Sequence, residues 1–303
     1  MDFPISGVHV SPFLLASVGL VVGALAGFFG VGGGFLTGPM LYTLGVPMNF
    51  VVGTDLAYMT GKSIIAAKEH RALGHIDFKL GFLMIAGTVL GIEVGAQVIE
   101  VLKRLGSIDM VVGVTYVVIL VAISGFVAWE AAHALRQAKE RVSAEAASGF
   151  AAITRRVQRL RLWPLISLPA SGIKSISLWA ILAVSFATGL LSGMLGVGGG
   201  FIRMPALVYL IGVPTHVAVG TDLFEIVVSA SYGTLSHAVK GNVDILMALV
   251  MQTGAAIGAK LGARLTARVT GPHIRLAFAV LPLIGAGLVL MRLFGGGAPA
   301  GGH

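Results

Sequence analysis

The string GVGGGF occurs twice in the chain, at residues 30–35 and again at 196–201. Each glycine costs roughly 1 kcal/mol relative to alanine in a helix interior, so each string predicts a break between two helical segments. The backbone amides that a helix start leaves unpaired favour an anion. The predicted anion-binding glycines are Gly32, Gly33, Gly34, Gly198, Gly199 and Gly200. A dinucleotide fingerprint does not fit, because its sixth position is occupied by Phe35 or Phe201.

Two further segments, 49–70 and 215–238, carry polar side chains at helical spacings within apolar sequence. These side chains are Asp55, Tyr58, Lys62, Asp222, Glu225 and Tyr232. An ionised residue in the middle of a membrane helix costs roughly 2.5–3.5 kcal/mol to insert, so we expect them to face a cavity or each other. The acids and tyrosines are candidates for proton coupling or gating. Both aspartates follow Gly-Thr, so N-capping of a helix is an alternative for them.

Basic residues near the breaks could add positive charge to an anion site. Arg203 stands where the first copy has Thr37, just after the glycine string, and a guanidinium there suits a tetrahedral oxyanion. Its alternative is an interfacial, snorkelling position. Lys62 is the second candidate, with an ion pair to Asp55 as the alternative. Thr37 completes the predicted binding set. Glu93 and Lys260 hold equivalent positions in the two copies and could pair across them.

Cysteine and histidine usage argues against several other chemistries. The chain has no cysteine, which excludes disulfides and thiolate metal sites. His70, His75 and Asp77 have the residue types of metal ligands, but the second copy has Asn242 in place of His75. A cytoplasmic turn is therefore the better interpretation, and we predict no metal and no cofactor. The chain also lacks HExxH and a membrane serine protease motif, so we do not expect an enzyme.

The composition is that of an integral membrane protein. Of 303 residues, 56% are hydrophobic and 11% are charged, whereas soluble domains carry about 25% charged residues. Several apolar runs approach the roughly 20 residues that cross a bilayer as a helix. No basic residue precedes the first of them, so we expect that helix to be retained. The net charge of +8 comes from basic residues clustered in loops, which indicates membrane topology rather than nucleic-acid binding.

The glycine strings belong to an internal repeat. Residues 27–39 match 193–205 at eight of thirteen positions, and 42–56 match 209–223 at nine of fifteen. Glycines four residues apart, such as Gly87, Gly91 and Gly95, recur in both copies and predict close helix packing.

The predicted organisation is an all-α polytopic membrane protein with a first repeat (1–130), a basic connector (131–174), a second repeat (175–294) and a disordered tail (295–303). We expect the connector to be cytoplasmic and partly helical. Five crossings per copy would make the repeats inverted, whereas four with a re-entrant segment would make them parallel. The distribution of lysine and arginine favours the inverted 5+5 arrangement over 4+4.

The duplicated glycine string, followed by Pro, GVP and GTD, resembles the sulfite/organosulfonate exporter family TauE/SafE over residues 11–100 and 175–294. The resemblance implies a prokaryotic plasma-membrane carrier that exports sulfite or small organosulfonates, coupled to protons. Paired breaks in two repeats are typical of a transporter's midplane site and of alternating access around it. An anion channel with the same helix ends is the alternative. The expected partners are the anion and membrane lipid, with a homodimer as an alternative to a monomer.

Overall fold

The computed structural model describes residues 2–30, 33–139, 154, 157–158, 162–269 and 271–294. Within those residues the chain forms ten α-helices. The first five are α1 (Pro12–Phe29), α2 (Gly34–Thr43), α3 (Met48–Ala72), α4 (Phe78–Arg104) and α5 (Ile108–Lys139). The second five are α6 (Leu178–Leu195), α7 (Gly200–Ala206), α8 (Thr215–Val239), α9 (Ile245–Thr266) and α10 (Gly271–Phe294). A π-helical turn, Leu207–Ile211, continues α7.

Helix length and composition confirm a multi-pass α-helical membrane protein. Five helices are long and apolar enough to cross a bilayer, namely α1, α4, α5, α6 and α9. Helices α3 and α8 have 25 residues each but carry the charged stripes. Helix α2 has ten residues and so extends about 15 Å, half of a hydrocarbon core about 30 Å thick.

Aspartates cap the fourth helix of each copy. The Oδ1 atoms of Asp77 and Asp244 accept hydrogen bonds from the amides of Leu80 (3.0 Å) and Met247 (3.1 Å). By contrast, α3 begins at Met48 and α8 at Thr215, directly after the two GVP motifs. N-capping by Asp55 and Asp222 is therefore the wrong interpretation, because both lie inside their helices.

Close glycine packing joins the two copies, which confirms the prediction from glycine spacing. A Cβ placed on Gly87, Gly91 or Gly95 of α4 would fall within 3 Å of the α6 backbone. The corresponding glycines of α9, namely Gly254, Gly258 and Gly262, approach the α1 backbone in the same way. Backbone contact this close is available only where no side chain intervenes.

The first helix of each copy packs against the fourth helix of the other copy. Gly19 and Gly27 of α1 contact Met251 and Ala259 of α9, so these two helices run parallel. Helices α4 and α6 are also parallel, since Gly87 contacts Leu182 and Gly95 contacts Leu190.

Helices α3 and α8 run antiparallel. The Thr54 hydroxyl, near the start of α3, accepts from the amide of Asp244 (2.9 Å), just beyond the end of α8. The Thr221 hydroxyl, near the start of α8, accepts from the amide of Asp77 (2.9 Å), just beyond the end of α3.

Short hairpins precede the first helix of each copy. Strands β1 (Asp2–Phe3) and β2 (Val8–His9) form one hairpin, and β3 (Leu165–Leu168) and β4 (Ile173–Ser177) form the other. Ser6 Oγ donates to Asp244 Oδ2 (2.7 Å), and Ser171 Oγ donates to Asp77 Oδ2 (2.6 Å). Each hairpin thus fastens the capping aspartate of the opposite copy.

The predicted connector 131–174 is only partly visible. Helix α5 extends past residue 130 to Lys139, and β3 and the first two residues of β4 occupy the end of the connector. Residues 140–153, 155–156 and 159–161, where we predicted partial helix, and the tail 295–303 lie outside the described residues.

Candidate functional site

Both glycine strings stand between two helices in the structure. Helix α1 ends at Phe29 and α2 starts at Gly34, with positive φ at Gly30 (74°) and Gly33 (76°). At the second string, positive φ occurs at Gly196 (74°), Gly198 (65°) and Gly199 (71°), and α7 starts at Gly200. A residue with a side chain rarely adopts this left-handed conformation, which explains the glycines at these five positions. Gly32 lies outside the described residues.

The first-break cluster consists of Asp55, Tyr58, Lys62, Tyr116 and Gly34. The side chains of Asp55, Tyr58, Lys62 and Tyr116 are each at most 1% exposed. The Asp55 carboxylate borders Gly34, where a Cβ would come 2.8 Å from its Oδ2. The Lys62 Nζ lies over the Tyr58 ring, 3.7 Å from its centroid.

Hydrogen bonding in the first-break cluster is incomplete. Tyr58 and Tyr116 donate to the carbonyls of Gly19 (2.9 Å) and Gly34 (3.0 Å). Among the described residues, neither the Asp55 oxygens nor the Lys62 ammonium has a hydrogen-bond partner. Thr37 donates its one proton to the Gly33 carbonyl (3.1 Å). A buried ammonium carries three donors, so the cluster has an unused capacity to hold an acceptor.

The second-break cluster consists of Arg203, Asp222, Glu225, Thr188 and Ser229. Arg203 lies 3.1 Å (Nη1–Oδ1) from Asp222 and forms a second ion pair with Glu225. Its Nη2 donates to the Gly198 carbonyl (3.2 Å) and its Nε to Thr188 Oγ1 (3.3 Å). Ser229 Oγ donates to Glu225 Oε2 (3.2 Å). The side chains of Arg203 and of both acids are completely buried.

The sequence predicts that Arg203 binds the anion, and in the structure its guanidinium already pairs with two carboxylates. One guanidinium faces two carboxylates and two neutral acceptors, so the second-break cluster has no positive charge to spare. Snorkelling is also wrong, since the Arg203 side chain has no exposed surface. The first-break cluster holds one buried acid and one buried base, whereas the second-break cluster holds two buried acids and one base.

Tyr232 lies away from both clusters. Its hydroxyl donates to Glu93 Oε2 (3.1 Å), as does Ser236 Oγ (2.7 Å), and Lys240 pairs with Glu93 Oε1 (3.3 Å). The predicted pairing of Glu93 with Lys260 is wrong, because Lys240 takes that place and Lys260 is exposed. The partners of Glu93, namely Tyr232, Ser236 and Lys240, follow one another at intervals of four residues near the end of α8, so they lie on one face of that helix.

Three of the histidines, His70, His75 and His216, lie together at one end of α3. The Nδ1 atoms of His70 and His75 are 3.2 Å apart, and the rings of His75 and His216 are in tilted contact with centroids 5.2 Å apart. Asp77 is occupied as a helix cap, and no group of three metal-ligand residues suited to an ion occurs in the described part of the chain.

Helical packing, a repeated pair of helix breaks and buried charges beneath them are features of a polytopic membrane transporter. A model of the family described as "Sulfite exporter TauE/SafE" matches residues 15–289. The chain belongs to this family, and the protein is a membrane transporter of the TauE/SafE type.

Curated relatives carry transporter names. The chain is 27% identical over 250 residues to the probable membrane transporter protein YunE of Bacillus subtilis, covering 80% of this chain and 84% of that protein. Identity to YjnA of the same organism is 26%, covering 78% and 84%. The archaeal protein MJ0441 of Methanocaldococcus jannaschii is 26% identical, covering 78% and 80%. No solved structure matches the chain.

Sequence reasoning missed several members of the site. Tyr116 and Thr188 come from α5 and α6, and nothing in their local spacing marks them. His216 could have been found by aligning the copies, because it stands opposite Asn49 just as His75 stands opposite Asn242.

Proposed function

We propose that this transporter exports sulfite or a small organosulfonate across the plasma membrane of a prokaryote, coupled to protons. The observation that carries the proposal is the pair of buried charged clusters, one beneath each helix break. The family description names sulfite export. A buried ammonium with free donors suits a sulfur oxyanion, which presents several acceptor oxygens.

The two copies are proposed to be inverted relative to each other in the membrane. The equivalent helices α3 and α8 run antiparallel. Helix α1 runs parallel to α9, and α4 runs parallel to α6, which is the arrangement expected if the second copy is inverted. The stretch 68–79, the connector 131–174 and the stretch 264–275 then share one side, which the lysine and arginine distribution marks as cytoplasmic. Exposed apolar side chains such as Phe13, Phe82 and Leu90 would face lipid.

The two clusters are proposed to have different functions, with anion binding in the first-break cluster and proton binding in the second-break cluster. Lys62 of the first-break cluster binds the anion, and Asp55 balances its charge when the site is empty. In the second-break cluster, Asp222 and Glu225 share one guanidinium, and the excess carboxylate carries the coupled proton. The charged side chains of both clusters are sealed from solvent, so the described conformation is occluded and transport requires rocking of the helices to open each side in turn.

The test is sulfite flux in proteoliposomes for the native protein, Lys62→Met and the matched control Lys68→Met. Lys68 lies on the same helix but is exposed. We expect the Lys62 variant to lose most of its flux and the control to retain it. Equal flux in all three proteins would contradict the assignment of Lys62.

An anion channel would use the same first-break cluster but would conduct without a proton. A pH-sensitive dye inside the vesicles distinguishes the two mechanisms. Proton movement that follows sulfite with fixed stoichiometry supports the carrier, whereas electrical current without proton movement supports the channel.

A further inference from the structure

Three histidines from the two copies meet at one end of the helix bundle. His70 lies in the last turn of α3, His75 lies in the turn that follows, and His216 lies in the first turn of α8. The Nδ1 atoms of His70 and His75 are 3.2 Å apart. The His75 and His216 rings are in tilted contact, with centroids 5.2 Å apart and planes 34° apart. We call this set the histidine row.

The hydrogen bonds fix where the protons of the histidine row lie. His70 Nε2 is 3.0 Å from the Gly27 carbonyl, which can only accept, so this nitrogen carries the proton. His70 Nδ1 is then an acceptor, and His75 Nδ1 must donate to it. His75 Nε2 is left as a basic nitrogen. His216 Nδ1 is buried and has no hydrogen-bond partner in the described part of the chain. The row can therefore take up a further proton.

The opposite end of the bundle has the same framework, but only one of its three equivalent positions, His237, holds a titratable ring. His237 Nε2 contacts the Gly193 carbonyl at 3.0 Å, as His70 contacts Gly27. However, Asn242 replaces His75 and Asn49 replaces His216. Asn49 Nδ2 donates to Asn242 Oδ1 (3.1 Å), and so does Lys103 Nζ (3.0 Å). Amides neither gain nor lose a proton in the physiological range.

The histidine row lies in the contact that closes its end of the bundle. The turn holding His75 packs on α8, since a Cβ at Gly220 would fall within 3 Å of the His75 carbonyl group. The neighbouring Asp77 amide donates to Thr221 (2.9 Å).

The charged groups around the histidine row are already engaged. Glu69 pairs with Arg264 (3.1 Å), and the Asp77 carboxylate accepts from Leu80 and Ser171. Arg71 lies over the Phe78 ring, 5.8 Å from its centroid. Glu69 is the acid that acts on His70, but it is shared with Arg264. A proton taken up by the row is therefore only weakly compensated.

We propose that the histidine row is a proton-binding site that loosens the closure between the two copies at this end when the pH on this side falls. The asparagine end lacks the response, so the two sides of the transporter differ in their sensitivity to pH. This inference depends on the contacts between the copies and not on which anion is carried.

The direction of the response follows from the titration of His75. Burial, and then the neighbouring His216, lower the pKa of His75 below its ordinary value of 6.5. The neutral ring and the intact closure therefore prevail above that value. As the pH falls below 6.5 and through the lowered pKa, the ring gains its proton and the closure is lost.

The chain has no native cysteine, so single reporter cysteines give a clean test. Ala218→Cys reports on the histidine end and Val51→Cys, the equivalent position, on the asparagine end; both side chains are fully buried. Maleimide labelling rates are normalised to the denatured protein to remove the pH dependence of the thiol. Between about pH 7.5 and about pH 5.5 we expect the rate at residue 218 to rise about 10-fold, within the tenfold per pH unit that one proton allows. The rate at residue 51 should stay constant.

The second copy supplies the matched variants. In the Ala218→Cys background, His75→Asn with His216→Asn should abolish the pH response, and His75→Gln alone is the milder substitute if the pair does not fold. In the Val51→Cys background, Asn242→His with Asn49→His should create a response. A constant rate at residue 218 in the parent, or an unchanged response without the histidines, would overturn the proposal. Loss of the response in EDTA would also overturn it, since the row would then bind a metal.

Discussion

Removal of the Arg203 guanidinium should destabilise the protein far more than a loss of anion binding alone would. Arg203→Met leaves Asp222 and Glu225 buried without their cation and removes the hydrogen bonds to Thr188 (3.3 Å) and the Gly198 carbonyl (3.2 Å). Breaking a buried ion pair from one side typically costs roughly 3–5 kcal/mol. At 1.4 kcal/mol per factor of ten, that is about a 100- to 5,000-fold shift of the unfolding equilibrium.

The assay is unfolding in mild detergent, followed for the native protein, Arg203→Met and the control Arg104→Met. Arg104 pairs with Glu100 (3.3 Å), but its side chain is 78% exposed, and surface pairs contribute about 0–1 kcal/mol. The triple variant with Asp222→Asn and Glu225→Gln should recover much of the stability, because it buries no unpaired charge. If Arg203→Met were as stable as the native protein and lost only sulfite binding, Arg203 would be a free anion ligand and the ion-pair reasoning would fail.

Further changes test the coupling and the packing. Glu225→Gln should abolish transport driven by a pH gradient while sulfite exchange continues, as measured with a pH dye and labelled sulfite; intact coupling would place the proton elsewhere. Gly254→Ala should destabilise the protein, because the new Cβ would fall within 3 Å of the α1 backbone, whereas Gly125→Ala should be tolerated since nothing lies within 4 Å; equal unfolding midpoints would contradict the packing. Ser171→Ala and Ser6→Ala should each cost roughly 1.5–3 kcal/mol of stability, because each removes a hydrogen bond to a buried aspartate. Unfolding in detergent measures this cost, with the exposed Ser231→Ala as the control.

Much of the helical framework could be predicted from the sequence because the repeat displays it twice. The two glycine strings predict helix ends, and the structure has α1 ending at Phe29 and α6 at Leu195. Glycines four residues apart predict close packing because their spacing alone places them on one face. The copies also gave the equivalences on which the comparison of the two ends depends.

The partners of the charged residues could not be predicted in the same way. Spacing places Asp222 and Glu225 on one face of α8, but it does not say that Arg203 of α7 meets that face. The sequence does not predict the two hairpins, because strands of two to five residues have too few positions to show an alternating pattern. The sequence predicts only a plain turn at the end of α3. It does not show that His75 contacts His216, because these residues belong to different copies.

Equilibrium binding of sulfite to the purified protein tests the division of work between the two breaks most directly. The native protein is compared with Lys62→Met and Glu225→Gln at one pH. A lost charge-assisted hydrogen bond of roughly 1.5–3 kcal/mol predicts that Lys62→Met weakens the Kd about 10- to 100-fold, while Glu225→Gln leaves it nearly unchanged. Native affinity in Lys62→Met, together with a large loss in Glu225→Gln, would contradict the assignment of the anion to the first break.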